Sequence, residues 1–293
     1  MPTSRKREQK GMVSAVAKVA AMSYIKRNSP IHALTGTAKL VFFLLWSVAV
    51  MVSYDTRILL VMLVVSIVLF RVSRVKFSEV SVVLGLAAVF LLMNNFFVYL
   101  FAPEYGTEIY ESRTLLFTIA GPYTITAEQL FYHFNMTIKV VCVIPVALLF
   151  IACTNPSEFA ASLSGIGVSY RVGYAVSLAL RYIPDIQRDY RNISQAQQAR
   201  GIDLSSKDKL LVRLKNSVAI LLPLILSSLN RIESISNAME LRGFGKHEKR
   251  TWYVQRKMKT ADYVTITLAV VVLAASLLIT FWDGNRYYNP FAG

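Results

Sequence analysis

Arginine can hold a carboxylate through two parallel N–H···O bonds, and it stays charged at any biological pH. This sequence sets two arginines into one repeated phrase. Residues 193–201 read Ile-Ser-Gln-Ala-Gln-Gln-Ala-Arg-Gly, and residues 235–243 read Ile-Ser-Asn-Ala-Met-Glu-Leu-Arg-Gly. Five of the nine positions are identical, and the copies lie 42 positions apart. Arg-Gly is also an ordinary helix ending, a cation near the negative end of the dipole followed by a capping glycine. Two copies in matched settings favour a docking role for Ala199-Arg200-Gly201 and Leu241-Arg242-Gly243.

A second constellation could do metal chemistry. Asp185 and Asp189 stand four residues apart among Arg181, Arg188 and Arg191, a spacing that puts both carboxylates on one helix face. Such a pair can hold the magnesium of a diphosphate, which would suit a prenyl or lipid-head transferase embedded in a membrane. That chemistry needs a second acidic motif facing the first, and only Asp203 and Asp208, in a loop, are at hand. An exposed face with pairs such as Arg181–Asp185 is the favoured alternative. There is no Gly-x4-Gly-Lys-Ser/Thr phosphate loop and no Gly-x-Ser-x-Gly elbow, and His32, His133 and His247 lack metal-ligand spacing. No catalytic residue, cofactor site or metal site is therefore expected.

The arginines must be positioned by helices. Val172, Val176, Ala179, Ile183, Ile186, Tyr190 and Ile193 alternate spacings of four and three, one stripe of a helix that continues to Gln197 and Arg200. Leu211, Leu214, Val218, Leu221, Ile225, Ser228, Ile232, Ile235 and Met239 lead in the same way to Arg242. Each arginine thus falls in line with what the pattern makes a packed face. Two long helices are expected, about 168–200 and 207–242, with kinks at Pro184 and Pro223. A shorter one precedes them, with Asn155 as N-cap, Pro156 at its first position and Glu158 three after the cap, ending at Gly165-Ile-Gly167.

Composition places these helices at a membrane. Hydrophobic residues make up 55% of the chain, and the mean hydropathy is +0.47. Five spans are expected, at about 37–54, 57–72, 79–101, 134–153 and 261–282. The apolar stretch 217–229 is too short to cross and is expected to lie beneath the spans. The fold class is therefore all-α integral membrane protein with a domain of long amphipathic helices on the cytoplasmic side. The parts are a basic tail (1–30), a four-helix membrane region (31–154), the amphipathic domain (155–260), and a last span with an external C-terminus (261–293).

The net charge of +15 is unevenly spread. Residues 1–30 carry seven Lys or Arg against Glu8, and a short surface helix is expected over 11–25. Arg71, Arg74 and Lys76 follow the second span, whereas Glu104, Glu108, Glu111 and Glu128 dominate the loop 102–128. Residues 155–260 hold seventeen Lys or Arg and eight Asp or Glu. The positive-inside rule then puts the N-terminus and 155–260 in the cytoplasm of a multi-pass plasma-membrane protein. The charge is ascribed to topology, and no nucleic-acid partner is expected. Cys142 and Cys153 lie too far apart on one helix to bridge and are expected in the core. Asn94, Asn95, His133 and Lys139 are polar groups in or near spans, which are functional suspects by default, although the place of Asn94, Asn95 and His133 towards the outer boundary argues against a transport path.

Over residues 30–255 the chain resembles the transmembrane T component of energy-coupling factor (ECF) transporters. The resemblance rests on Ser29-Pro-Ile-His-Ala-Leu-Thr-Gly-Thr-Ala-Lys39-Leu, similar to the family's Leu-His-x-Leu-Asp-Pro-x-Thr-Lys-Leu. It rests also on Leu178-Ala-Leu-Arg-Tyr-Ile-Pro184 and on the two Arg-Gly tips. Ala199-Arg200-Gly201 matches the family's Arg tripeptide fully, while Leu241-Arg242-Gly243 departs at its first position. Thr35-Gly36 replaces Asp-Pro, so no role is carried over there. The resemblance implies two ABC ATPase subunits docked on the arginine tips and a small membrane S component that captures a vitamin or metal ion. It also implies that the chain itself is not an enzyme.

Overall fold

A helix in lipid must satisfy every backbone hydrogen bond internally, and this sequence offers long runs of residues that do so. A computed structural model describes residues 29–120, 123–202, 210–247, 251–252, 256–282 and 287–291. The basic tail with its expected surface helix, and Asp203 and Asp208, lie outside the described residues. The chain divides into two units, Met1–Asn155 with Arg256–Gly293, and Pro156–Gln255.

The first unit contains α1 (Pro30–Ala33), α2 (Gly36–Val52), α3 (Thr56–Val72), α4 (Phe77–Phe101), α5 (Tyr105–Tyr110), β1 (Leu115–Ala120), β2 (Tyr123–Thr126), α6 (Ala127–Cys153) and α10 (Thr260–Trp282). The second contains α7 (Pro156–Gly165), α8 (Tyr170–Ala199) and α9 (Leu210–Leu241). The loop expected over 102–128 thus folds into α5 and an antiparallel ribbon, β1 against β2, the one sheet among the described residues. The protein is an all-α membrane protein apart from that ribbon.

Helix α6 is the post of the first unit, packing against α2, α3, α4 and α5. Trp46, Ala49 and Val50 of α2 meet Leu59 and Met62 of α3 and Ile138, Cys142 and Val146 of α6 in one buried cluster. Both cysteines are free and buried, Cys142 in this cluster and Cys153 in a second one with Val75, Val80, Leu148, Leu149 and Ala152. α6 begins seven residues earlier than expected. Thr126 caps it, and Gln129, His133 and Asn135 in its first turns all find partners. The Gln129 amide oxygen accepts from Gly106 N at 2.6 Å, and Thr56 donates to Asn135 at 2.7 Å. His133 shares hydrogen bonds with Asn95 (2.9 Å) and Gln129 (3.2 Å), and Lys139 donates to Met51 O at 3.1 Å. These polar groups tie helices together.

Among the described residues, four helical segments are long and apolar enough to cross a membrane: Phe77–Phe101, Ala127–Cys153, Asn216–Leu241 and Thr260–Trp282. Three are among the five expected spans. The third of the four overturns the length argument made for 217–229, because the helix does not stop at Leu229 but continues with few charges to Leu241. The expected spans α2 and α3 have 17 residues each. At 1.5 Å per residue they rise about 25 Å, short of a hydrocarbon core of about 30 Å.

The motif around Lys39 is a structural hub. Lys39 is 5% exposed, and its Nζ donates to the carbonyls of Cys153 (2.8 Å) and His32 (3.5 Å). It thereby satisfies the C-terminal end of α6 and holds α1 beside it. Thr35 caps α2, and Asp262 of α10 accepts from Thr35 N (2.7 Å), Thr35 Oγ1 (3.0 Å) and Lys259 N (2.7 Å). Lys39→Ala removes a charge-assisted bond and leaves a buried helix-end carbonyl. It is expected to cost about 1.5–3 kcal/mol, read as a lowered midpoint of thermal unfolding of the full chain in detergent. An unchanged midpoint would refute the role.

Candidate functional site

The repeated phrase folds twice into the same object. In α8, Gly201 at φ +85° donates its N–H to Gln198 O (3.0 Å), and Ile202 N donates to Gln197 O (3.1 Å). In α9, Gly243 at φ +66° donates to Glu240 O (2.8 Å), and Phe244 N donates to Met239 O (3.0 Å). Both are Schellman endings, the 6→1 and 5→2 bonds closed by a left-handed residue. Glycine is required at both positions by backbone conformation alone, since nothing lies within 4 Å of an added Cβ. Arg200 and Arg242 each occupy the last position before that turn. Both are exposed, and neither has an ion-pair partner among the described residues.

The tips differ in their footing. Phe244 packs its ring on Tyr174 at 4.9 Å and on Tyr170 at 5.6 Å, and Arg171 Nη2 donates to Gly245 O at 2.9 Å. The second tip therefore rests on an aromatic pedestal at the start of α8. The first is held by Gln197, whose amide donates to Ala219 O of α9 at 3.1 Å. The position where the second tip departs from Ala is Leu241, 90% exposed beside its arginine. An apolar side chain held out next to a charged fork suits a pocket on another protein.

Three contacts fix how the helices run. Gln197 meets Ala219, Asp189 meets Arg231, and Tyr174 meets Phe244. The order reverses from one helix to the other, so α8 and α9 are antiparallel and the arginines lie at opposite ends of the pair. Measured from the Asp189–Arg231 contact, each tip is eleven residues away. That places the tips up to about 33 Å apart.

The apolar stripes do not face inward as the pattern suggests. Val172, Ile183, Ile186 and Tyr190 of α8 are exposed, as are Val218, Leu221, Ile225 and Ile232 of α9. Leu222, Leu226 and Leu229, off that stripe, are also more than half exposed, so α9 is apolar on several sides. Periodicity shows that a face is apolar but not that the same chain covers it. Patches of this size on a membrane-associated helix mark lipid or partner contact.

The aspartate pair is not arranged as a metal site. Asp189 accepts from Arg231 Nη2 at 2.5 Å, and Asp185 lies 3.8 Å from Arg188 rather than pairing with Arg181. No group of three or more His, Cys, Asp or Glu that could hold a metal occurs among the described residues. The sequence does not single out this pair, because every residue of the first helix has a counterpart 42 positions on and only the fold shows which counterparts meet.

Comparison with known proteins gives the chain a family. A family model described as cobalt transport protein, CbiQ, matches residues 27–253. The energy-coupling factor transporter transmembrane protein EcfT of Staphylococcus aureus is 24% identical over 270 residues, which cover 89% of this chain and 96% of that protein. EcfT of Clostridium kluyveri is 27% identical over 272 residues, with 89% and 97% covered. EcfT of Limosilactobacillus fermentum is 38% identical over 107 residues, 36% of this chain and 39% of that protein.

Proposed function

The chain belongs to the CbiQ family of cobalt transport proteins, as a transmembrane T component of energy-coupling factor transporters, and from that premise we propose that it couples two ABC ATPase subunits to a substrate-binding S component. The ATPases dock on Ala199-Arg200-Gly201 and Leu241-Arg242-Gly243, one on each tip. ATP-driven closure of the ATPases then moves the tips together, and α8 and α9 carry that motion to the S component, which takes up a vitamin or metal ion. The observation that carries this reading is the pair of identical helix endings, each presenting an exposed arginine, at opposite ends of one antiparallel pair. The separation of the tips suits two separate subunits. The test is purification of the tagged full chain with its native partners. ABC ATPases in the purified complex are the expected result. Their absence, with the chain intact and membrane-inserted, would refute the coupling role.

The topology follows the same reading. The N-terminus and residues 155–260 face the cytoplasm and the C-terminus lies outside, a proposal that rests on the charge asymmetry. α9 does not cross in this arrangement, despite its length. A crossing α9 would put Arg200 and Arg242 on opposite sides of the bilayer, where two cytoplasmic ATPases could not reach both. A cysteine placed at Glu108 is expected to react with an impermeant reagent from outside only, and one placed at Gln198 from inside only. Labelling of Glu108→Cys from the cytoplasmic side would reverse the assignment.

A further inference from the structure

The offset that relates the two phrases also relates the two residues of the central ion pair. Asp189 and Arg231 are 42 positions apart, like Ile193 and Ile235, or Arg200 and Arg242. An operation that carries α8 onto α9 therefore carries residue 189 onto residue 231. In an antiparallel pair that operation is a local two-fold rotation, and a contact between two equivalent positions must lie on its axis. Asp189–Arg231 is such a contact. Gln197–Ala219 and Tyr174–Phe244 are not, since neither is separated by 42. The arms on either side of the axis are equal, eleven residues from Asp189 to Arg200 and eleven from Arg231 to Arg242. Eleven residues are close to three helical turns, so each arginine projects on nearly the same side of its helix as its member of the pair.

The contact also has the chemistry of a pivot. Arg231 reaches Asp189 with one nitrogen, Nη2, to one oxygen, Oδ2, at 2.5 Å. A single charge-assisted bond fixes a distance but leaves the angle between its carriers free, unlike a bidentate fork. The side chains are 34% and 27% exposed, and the Tyr182 ring lies 5.8 Å from the guanidinium carbon. Asp185 and Arg188 line the same polar hollow. Towards the ends, among the described residues, the helices are joined by the Gln197 amide on Ala219 O at one end, and at the other by the Tyr170 and Tyr174 rings on Phe244 and the Arg171 guanidinium on Gly245 O.

We propose that the Asp189–Arg231 ion pair is the fulcrum about which α8 and α9 change their crossing angle, so that force applied at one tip is delivered to the other. This rests on the docking reading above. Asp189 and Arg231 are positioning residues that touch neither ATPase, and they determine whether movement at the tips is shared.

The test uses the complete complex in proteoliposomes and reads three quantities, namely ATPases retained on the tagged chain, ATP hydrolysis and substrate uptake. Asp189→Arg and Arg231→Asp each place like charges at the axis. Each is expected to keep the ATPases bound and hydrolysing while uptake falls by about tenfold or more, within the span of an allosteric coupling. The exchanged pair, Asp189→Arg with Arg231→Asp, restores an attractive contact and is expected to recover most of the uptake. Asp189→Asn, which keeps a hydrogen bond and removes the charge repulsion, is expected to fall between wild type and the reversals. Uptake at the wild-type level in both single reversals, with ATPases bound, overturns the fulcrum and leaves docking intact. An exchanged pair no better than the single reversals overturns it as well. ATPases retained by a chain lacking both Arg200 and Arg242 overturn the docking reading, and the fulcrum with it.

Discussion

Replacing both Arg200 and Arg242 by alanine is expected to abolish transport while leaving the chain in the membrane. Both side chains are exposed and make no ion pair among the described residues, so truncating them costs the isolated chain little. The helix ends survive too, because the Schellman bonds run through Gly201, Ile202, Gly243 and Phe244 and need no guanidinium. The loss falls on the complex. Removing one member of a charge pair buried at an interface typically costs about 2–5 kcal/mol. Either single variant should therefore weaken ATPase binding, and the double should remove nearly all of it. Lysine keeps the charge but not the planar fork, so Arg200→Lys and Arg242→Lys should rescue only in part. Pull-down of ATPases and uptake in proteoliposomes measure both effects. Normal binding and uptake by the double alanine variant would show that the arginines are helix caps and nothing more.

The second large effect is expected on the outward apolar face of α9. Ile225 and Leu229 are 53% and 54% exposed and stand four residues apart on one face. The described residues of the second unit leave about half of each side chain uncovered. Covering such a side chain is worth about 1.5–3 kcal/mol, and a carboxylate in its place opposes contact with any apolar surface. Ile225→Asp with Leu229→Asp is expected to release the S component and stop uptake while both ATPases stay bound. The arginine variants should do the opposite, losing ATPases and keeping the S component. Retention of all partners and full uptake by the aspartate variant would show that this face is covered by neither protein nor lipid in the working complex. Together the two sets of variants separate the surface that receives force from the surface that delivers it.

The long helices, most of their ends and the matched tips were legible in the sequence. Periodicity of 3.6 marks a helix whatever surrounds it. Local chemistry marks its ends: Pro156 starts α7, and Gly201 and Gly243 end α8 and α9 through turns only glycine adopts readily. The repeated phrase was legible because a Schellman ending is built from contiguous residues. Other features were decided only by tertiary structure, because they depend on which residues meet across long separations. The earlier start of α6 needed Gly106, Thr56 and Asn95 as partners for its polar first turns. Lys39 reads in sequence as part of a motif, and its reach to the Cys153 carbonyl, 114 positions away, appears only on folding. The apolar stripes were visible as stripes, but whether the chain covers its own apolar face depends on the area the other elements have to offer. Asp189 shows the limit most plainly. Beside Asp185 it could be a metal ligand, and a metal ligand and an ion-pair partner are the same carboxylate until the fold supplies what faces it. Here α9 supplies Arg231.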